Sequence, residues 1–91
     1  MSPELIRLAQ RYLWWEPPVR ALERRDALLC QLMQLGTWDD VVFARREFGD
    51  EAFKQALRRA PPGVLDARSW NYWNLFYGVA PVPPMPVRPL P

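Results

Sequence analysis

The chain contains no histidine, a single cysteine (Cys30) and a single lysine (Lys54). The absence of histidine excludes imidazole-based acid–base pairs, serine–histidine–aspartate triads and imidazole metal ligands. One cysteine cannot form an internal disulfide or a cysteine-based zinc site. No apolar run approaches the roughly 20 residues of a membrane-spanning helix, and residues 1–10 lack the basic and apolar regions of a secretory signal. We therefore expect a cytoplasmic protein without a membrane segment, bound metal or cofactor.

Paired carboxylates are few in this sequence. Asp39–Asp40 and Asp50–Glu51 both stand where a helix is predicted to begin, and capping or compensation of the helix dipole explains them. No base or metal-binding shell accompanies them, so we expect no catalytic residues and predict that the protein is not an enzyme. Cys30 lies in an apolar helical run, where a buried structural cysteine is the expected role.

Helix signals recur through residues 1–78 and predict one all-α domain, a bundle of five to six short helices. The expected N-caps include Ser2, Thr37 and either Asp66 or Ser69, whereas proline pairs and glycines mark the helix ends. Further local predictions concern residues 16–36. Glu16 is expected to pair with Arg20, Asp26 to cap a helix over residues 27–35, and Gly36 to end it in a left-handed conformation. Whether residues 18–35 form one helix or two is left open.

A proline-rich tail follows the helical domain. Residues 79–91 contain six prolines in thirteen positions, which excludes a helix or a central strand and favours an extended polyproline II conformation. The run from Pro83 to Arg88 fits a PxxPxR ligand for an aromatic-lined groove. Packing of this apolar tail across the tryptophans of its own domain is the alternative interpretation.

Arginine supplies eleven of the twelve basic residues, and the net charge is only +2. Six arginines form three sequential pairs: Arg24 and Arg25, Arg45 and Arg46, and Arg58 and Arg59. Each pair is expected near the C-terminal end of a helix, where a cation complements the dipole. The alternative is a basic face that contacts DNA phosphates, although acidic residues border every pair.

The five tryptophans are more than a core of this size requires. Tryptophan, tyrosine and arginine dominate the energetics of protein interfaces, so this excess favours a protein-binding surface. The candidate partner-binding residues are Trp14, Trp15, Trp38, Trp70, Trp73 and Arg88. Tryptophan also gives a small domain a large buried area, and Trp73 is in addition expected to contribute to the core.

The order of several landmarks is more specific than any single motif. Trp14–Trp15, an apolar run to Leu35-Gly36-Thr37, Phe48-Gly49 and the segment Ser69-Trp70-Asn71-Tyr72-Trp73 follow one another along the chain. This order resembles a family of small helical bacterial proteins encoded beside abortive-infection-type nucleotidyltransferase toxins and regarded as their antitoxins. The resemblance covers about residues 13–78 and omits the tail.

The resemblance implies a non-enzymatic interaction protein that binds and neutralises a nucleotidyltransferase toxin. It carries no catalytic residues over to this chain. Two other hypotheses stay open: a small DNA-binding transcriptional regulator that uses the arginine pairs, and a homo-oligomeric scaffold.

Overall fold

A computed structural model describes residues 2–88 as six α-helices joined by short turns. The described part of the chain contains no β-strand, which confirms the predicted all-α fold class. The helices are α1 (Pro3–Tyr12), α2 (Pro18–Glu23), α3 (Arg25–Leu35), α4 (Trp38–Phe48), α5 (Asp50–Arg58) and α6 (Ala67–Phe76). Not one of the helices within residues 2–88 is both long and apolar enough to cross a membrane.

The stretch from Pro18 to Leu35 forms two helices, because the backbone at Arg24 leaves the helical region with φ −93° and ψ 57°. The prediction that Asp26 caps α3 is wrong: α3 begins at Arg25, two residues earlier than predicted, and Asp26 lies in its first turn, where it complements the dipole. The predicted pair between Glu16 and Arg20 is also wrong. Glu16 precedes α2 and pairs with Arg24, beyond the end of that helix.

Side-chain caps fix the beginnings of α1, α4 and α6, as the sequence predicts for Ser2, Thr37 and Asp66. Ser2 Oγ accepts from the Leu5 amide at 3.2 Å, and Thr37 Oγ1 accepts from the Asp40 amide at 3.2 Å. Asp66 Oδ1 accepts from the Ser69 amide at 2.8 Å. Each bond satisfies one amide that the first turn of a helix would otherwise leave unpaired.

Gly36 ends α3, but not in the predicted left-handed conformation, since its φ is −71°. A glycine is needed here for a different reason. A Cβ at this position would lie 2.5 Å from the carbonyl oxygen of Leu32, which accepts from the Gly36 amide at 2.8 Å. The close approach of the chain at Gly36 to the preceding turn of α3 therefore accounts for this residue.

Helix α3 lies at the centre of the bundle and packs against each of the other five helices. Its buried residues are Leu28, Leu29, Cys30, Leu32 and Met33. A helix that is surrounded in this way is apolar on most of its circumference. Phe53 of α5 and Trp73 of α6 also belong to this core, and both are almost fully buried.

The chain after α6 turns back onto the domain. The Val79 amide donates to the carbonyl oxygen of Asn74 at 2.9 Å, and residues 79–88 contain neither helix nor strand. Val82 and Met85 are half-buried against the core. Residues 89–91 of the predicted tail lie outside the described residues.

Candidate protein-binding surface

The five tryptophans divide into two buried and three exposed side chains. Trp70 and Trp73 are only 7% and 3% exposed, whereas Trp14, Trp15 and Trp38 are 74%, 52% and 52% exposed. The prediction that Trp70 and Trp73 face a partner is therefore corrected. Both project from the inward side of α6, and both indole nitrogens donate to backbone carbonyl oxygens, Trp70 to Pro83 at 2.8 Å and Trp73 to Met33 at 2.9 Å.

Trp73 forms the floor beneath a group of aromatic rings that reaches the surface. The exposed ring of Trp38 stacks on it with a centroid separation of 6.5 Å and an interplanar angle of 20°. Tyr72 meets Trp73 edge-on at 5.1 Å and stacks on Phe76 at 6.1 Å. Trp38 also contacts Phe76 at 6.1 Å. The exposed rings therefore rest on a rigid buried base, which lowers the entropy lost when a partner covers them.

We call this surface the Trp38 face and define it by Trp38, Arg68, Tyr72, Leu75 and Phe76. Tyr72 and Leu75 are 51% and 58% exposed, and Arg68 is also exposed. A cleft of about 310 Å³ opens between α4 and α6, with Trp38, Arg68 and Tyr72 in its lining. The face thus combines exposed apolar area with tryptophan, tyrosine and arginine, the residue types that contribute most to protein interfaces.

The helical period of α6 and the N-cap of α4 determine where the side chains of the Trp38 face lie. Successive residues of an α-helix are about 100° apart, so Arg68, Tyr72 and Leu75 share one side of α6. The buried residues Trp70, Trp73 and Asn74 occupy the other side. Trp38 follows the Thr37 cap directly and is the first residue of α4. The cap therefore fixes the backbone from which the Trp38 ring projects.

Trp14 and Trp15 form a second exposed aromatic pair, in the turn between α1 and α2. Their rings meet edge-on with centroids 5.6 Å apart. No ring contact among the described residues joins them to Trp38. Trp15 also lines a cavity of about 330 Å³ with Arg24 and Gln31. The sequence prediction of one tryptophan surface thus corresponds to two separate exposed patches in the structure.

The arginine pairs do not share a single face. Arg24, Arg25 and Arg59 line one cavity of about 640 Å³, together with Glu23 and Asp26. Arg59 is 3.5 Å from Asp26, and Arg24 pairs with Glu16. The acidic neighbours that the sequence shows beside these arginines therefore offset much of the local positive charge.

The remaining paired arginines lie elsewhere. Arg45 binds Asp50, with its Nε 2.8 Å from Oδ1, and its guanidinium lies 4.9 Å from the centroid of Phe76. Arg46 is exposed on α4, and Arg58 lines a different groove beside Trp70. Arg25, predicted at a helix C-terminus, is instead the first residue of α3. Arg88 is exposed in the tail.

Asp40 and Asp50, two of the acidic residues at helix starts, accept hydrogen bonds from tyrosine hydroxyls. Tyr12 donates to Asp40 Oδ2 at 2.6 Å, and Tyr77 donates to Asp50 Oδ1 at 3.0 Å. The hydrogen bond from Arg45 lowers the pKa of Asp50, and burial followed by the bond to Asp50 raises the pKa of Tyr77. Within residues 2–88 no cluster of three or more histidine, cysteine or acidic side chains could hold a metal ion.

Cys30 is 1% exposed and donates to the carbonyl oxygen of Ala56 at 3.4 Å. Burial raises the pKa of its thiol to about 11. The thiol is therefore protonated at neutral pH, and a protonated thiol is a poor nucleophile.

Sequence reasoning missed Arg68, Tyr72 and Leu75 as members of the exposed surface. The signal was present in the helical period of α6, since these residues lie opposite the positions of Trp70, Trp73 and Asn74. Applying that period to the last helix would have separated the buried tryptophans from the exposed side chains.

No family model matches the chain, and no curated protein or solved structure is significantly similar to it.

Proposed function

We propose that this protein is a non-enzymatic interaction module that binds a protein partner through the Trp38 face. The observation that supports this most is the exposure of Trp38 and Tyr72 on the buried base of Trp73. Aromatic side chains that are held rigidly and half-exposed are favourable anchors, because their burial by a partner costs little conformational entropy.

The proposed partner is a nucleotidyltransferase toxin, and the proposed role is antitoxin-like neutralisation. This identity rests on the sequence resemblance. The chemistry of the Trp38 face adds a requirement for the partner surface: an apolar patch opposite Trp38 and Tyr72, and a carboxylate within reach of Arg68. The guanidinium of Arg68 would bind a carboxylate in a planar, bidentate arrangement.

Co-expression with the product of the adjacent gene tests this proposal. We expect the two proteins to co-purify and the growth defect caused by the toxin to be relieved. Leu75→Glu places a charge on the Trp38 face and should weaken the complex by about tenfold or more, as the loss of an interface anchor does. The matched control is Val19→Glu, because Val19 is 56% exposed and Leu75 is 58% exposed.

Trp14→Ala distinguishes the two exposed aromatic patches. If the Trp38 face is the interface, this variant should bind the partner as well as the wild type does. A complex that is lost with Trp14→Ala and retained with Leu75→Glu would move the interface to the Trp14–Trp15 pair. Absence of both co-purification and relief of toxicity would contradict the proposal as a whole.

Duplex DNA binding is a second candidate function, and one observation favours it: Arg24, Arg25 and Arg59 line the same cavity. Its affinity would fall with salt by about one unit of log–log slope for each phosphate neutralised. A mobility-shift titration at low salt tests it, with Arg25→Glu as the charge-reversed variant. Unchanged mobility of duplex DNA at low salt would contradict it.

A further inference from the structure

A second groove lies between α5 and α6, on the side of α6 opposite the Trp38 face. Its volume is about 580 Å³, and its lining includes Lys54, Leu57 and Arg58 of α5, Trp70 and Asn74 of α6, and Tyr77 directly after α6. Three prolines of the chain's own tail, Pro83, Pro84 and Pro86, also line it. The tail therefore borders this groove without filling it.

One hydrogen bond attaches the tail to the groove. The indole Nε1 of Trp70 donates to the carbonyl oxygen of Pro83 at 2.8 Å. Val82 and Met85, on either side of this contact, are half-buried against the core. An aromatic wall that carries a directed N–H donor is the usual means of recognising polyproline II segments, whose backbone carbonyls are free of internal hydrogen bonds.

The groove also carries the positive charge of Arg58. Arg58 is exposed at the groove and makes no ion pair with any residue from 2 to 88, whereas Lys54 is 3.3 Å from Glu51. Residues 79–91 contain no aspartate or glutamate. The described part of the tail, residues 79–88, consequently supplies prolines to the groove but no carboxylate side chain for Arg58.

We propose that this groove is a binding site for proline-rich segments of other proteins that carry an acidic residue beside their prolines, and that residues 82–86 of the same chain compete with them for the Trp70 donor. The contact to Pro83 involves only a backbone carbonyl, so any segment of the same conformation can provide it. An acidic side chain adds an ion pair with Arg58 that residues 79–88 do not make. This site does not depend on the function proposed for the Trp38 face.

Covalent attachment gives the tail an advantage over an incoming segment. A short linker corresponds to an effective concentration on the order of millimolar. An incoming segment must overcome this competition, so binding to the intact wild-type chain is expected to be weak. Weakening the tail inside the full-length protein should uncover the site.

The experiment uses fluorescence anisotropy with two labelled peptides. Both correspond to residues 79–88; one has the native Arg88 and the other carries Arg88→Glu. The receiving proteins are the full-length wild type and a full-length tail variant with Pro83→Ala, Pro84→Ala and Pro86→Ala. We expect the tail variant to bind the glutamate peptide about tenfold or more tightly than the wild type does, because the competing tail is weakened.

Two further substitutions in the tail-variant background test the recognition chemistry. Trp70→Phe keeps an aromatic ring but removes the N–H donor, and should weaken peptide binding by about five- to tenfold. Arg58→Glu changes an exposed side chain, which leaves folding unaffected, and should reverse the preference from the glutamate peptide to the arginine peptide. Circular dichroism verifies that each variant retains its helices.

Three results would overturn the proposal. They are absence of peptide binding to the tail variant at millimolar concentration, binding that is unchanged by Trp70→Phe, and equal preference for the two peptides before and after Arg58→Glu. Because the readout uses isolated peptides and no toxin, its failure would leave the function proposed for the Trp38 face to its own test.

Discussion

The indole Nε1 of Trp73 donates a hydrogen bond to the backbone carbonyl oxygen of Met33 across 2.9 Å, although forty residues separate them in sequence. This bond joins the last helix to the central one. It also satisfies a donor that would otherwise be buried without a partner, since Trp73 is 3% exposed. The same ring supports Trp38 and Tyr72, so it belongs both to the core and to the base of the Trp38 face.

Trp73→Ala should lower the free energy of unfolding by about 3–5 kcal/mol, because it leaves a large cavity in the core. Trp73→Phe should cost less, since it keeps a ring and loses mainly the bond to Met33. Urea denaturation followed by circular dichroism measures both values. Trp14→Ala is the control: Trp14 is 74% exposed, and the change should be within about 0.5 kcal/mol. Equal effects of Trp73→Ala and Trp14→Ala would contradict the burial of Trp73.

Gly36→Ala should destabilise the protein by about 2 kcal/mol, as overpacking against backbone does. The added Cβ would lie 2.5 Å from the carbonyl oxygen of Leu32, which cannot rotate away as a side chain can. The thermal midpoint of unfolding reports the effect. Leu35→Ala at the neighbouring exposed position should change it little. A Gly36→Ala protein as stable as the wild type would show that the end of α3 can adjust to the added Cβ without cost.

Tyr12→Phe should lower stability by about 1.5 kcal/mol, because it removes a hydrogen bond to a carboxylate. The Tyr12 hydroxyl donates to Asp40 Oδ2 at 2.6 Å and accepts from the Thr37 amide at 3.3 Å, so it joins α1 to the beginning of α4. Tyr72→Phe is the matched control, since the Tyr72 ring is half-exposed. Chemical denaturation should show a larger loss of unfolding free energy for Tyr12→Phe than for Tyr72→Phe. A smaller loss for Tyr12→Phe than for Tyr72→Phe would refute the role given to this hydrogen bond.

Stability should decrease as the pH falls through the acidic range, in part because of Asp50. The hydrogen bond from Arg45 lowers the pKa of Asp50 below its ordinary value of 3.8 in the folded protein. A lowered folded-state pKa means that the contribution is complete above the unfolded-state pKa, about 3.9, and is lost as the pH falls through the folded-state value. Asp50→Asn should therefore flatten the dependence of the melting temperature on pH between about 5 and 2. An identical pH profile for wild type and Asp50→Asn would contradict this assignment.

Cys30 should resist thiol reagents in the native protein. Its thiol is 1% exposed, and burial raises its pKa to about 11. Reaction with a chromogenic disulfide reagent at pH 8 should therefore be slow without denaturant and complete within seconds in concentrated guanidinium chloride. Rapid labelling of the native protein would show that the core around α3 opens readily.

Local sequence signals predicted most of the helix boundaries. The caps at Ser2, Thr37 and Asp66 each depend on residues only three positions apart, so their chemistry is visible without tertiary structure. The errors depended on the exact backbone path and on a contact beyond the local segment. At Gly36 the chain leaves α3 so that a Cβ would lie 2.5 Å from the Leu32 carbonyl oxygen, and Glu16 pairs with Arg24 across a complete short helix.

The candidate surface was predicted by residue type but not by position. Tryptophan is used both in cores and at interfaces, so counting tryptophans cannot separate Trp73 from Trp38. The helical period divides the residues of α6 into two sides, but packing decides which side faces α3. Trp70, Trp73 and Asn74 form the buried side, which leaves Arg68 and Tyr72 on the exposed one.

Helix α6 forms one wall of the Trp38 cleft with Tyr72 and one wall of the tail groove with Trp70. The two sites are consequently linked through a single rigid body. If a partner at one site shifts this helix, thermodynamic reciprocity requires the occupant of the other site to change the partner's affinity by the same factor. If both proposed sites bind their ligands, the shared wall would couple the two affinities.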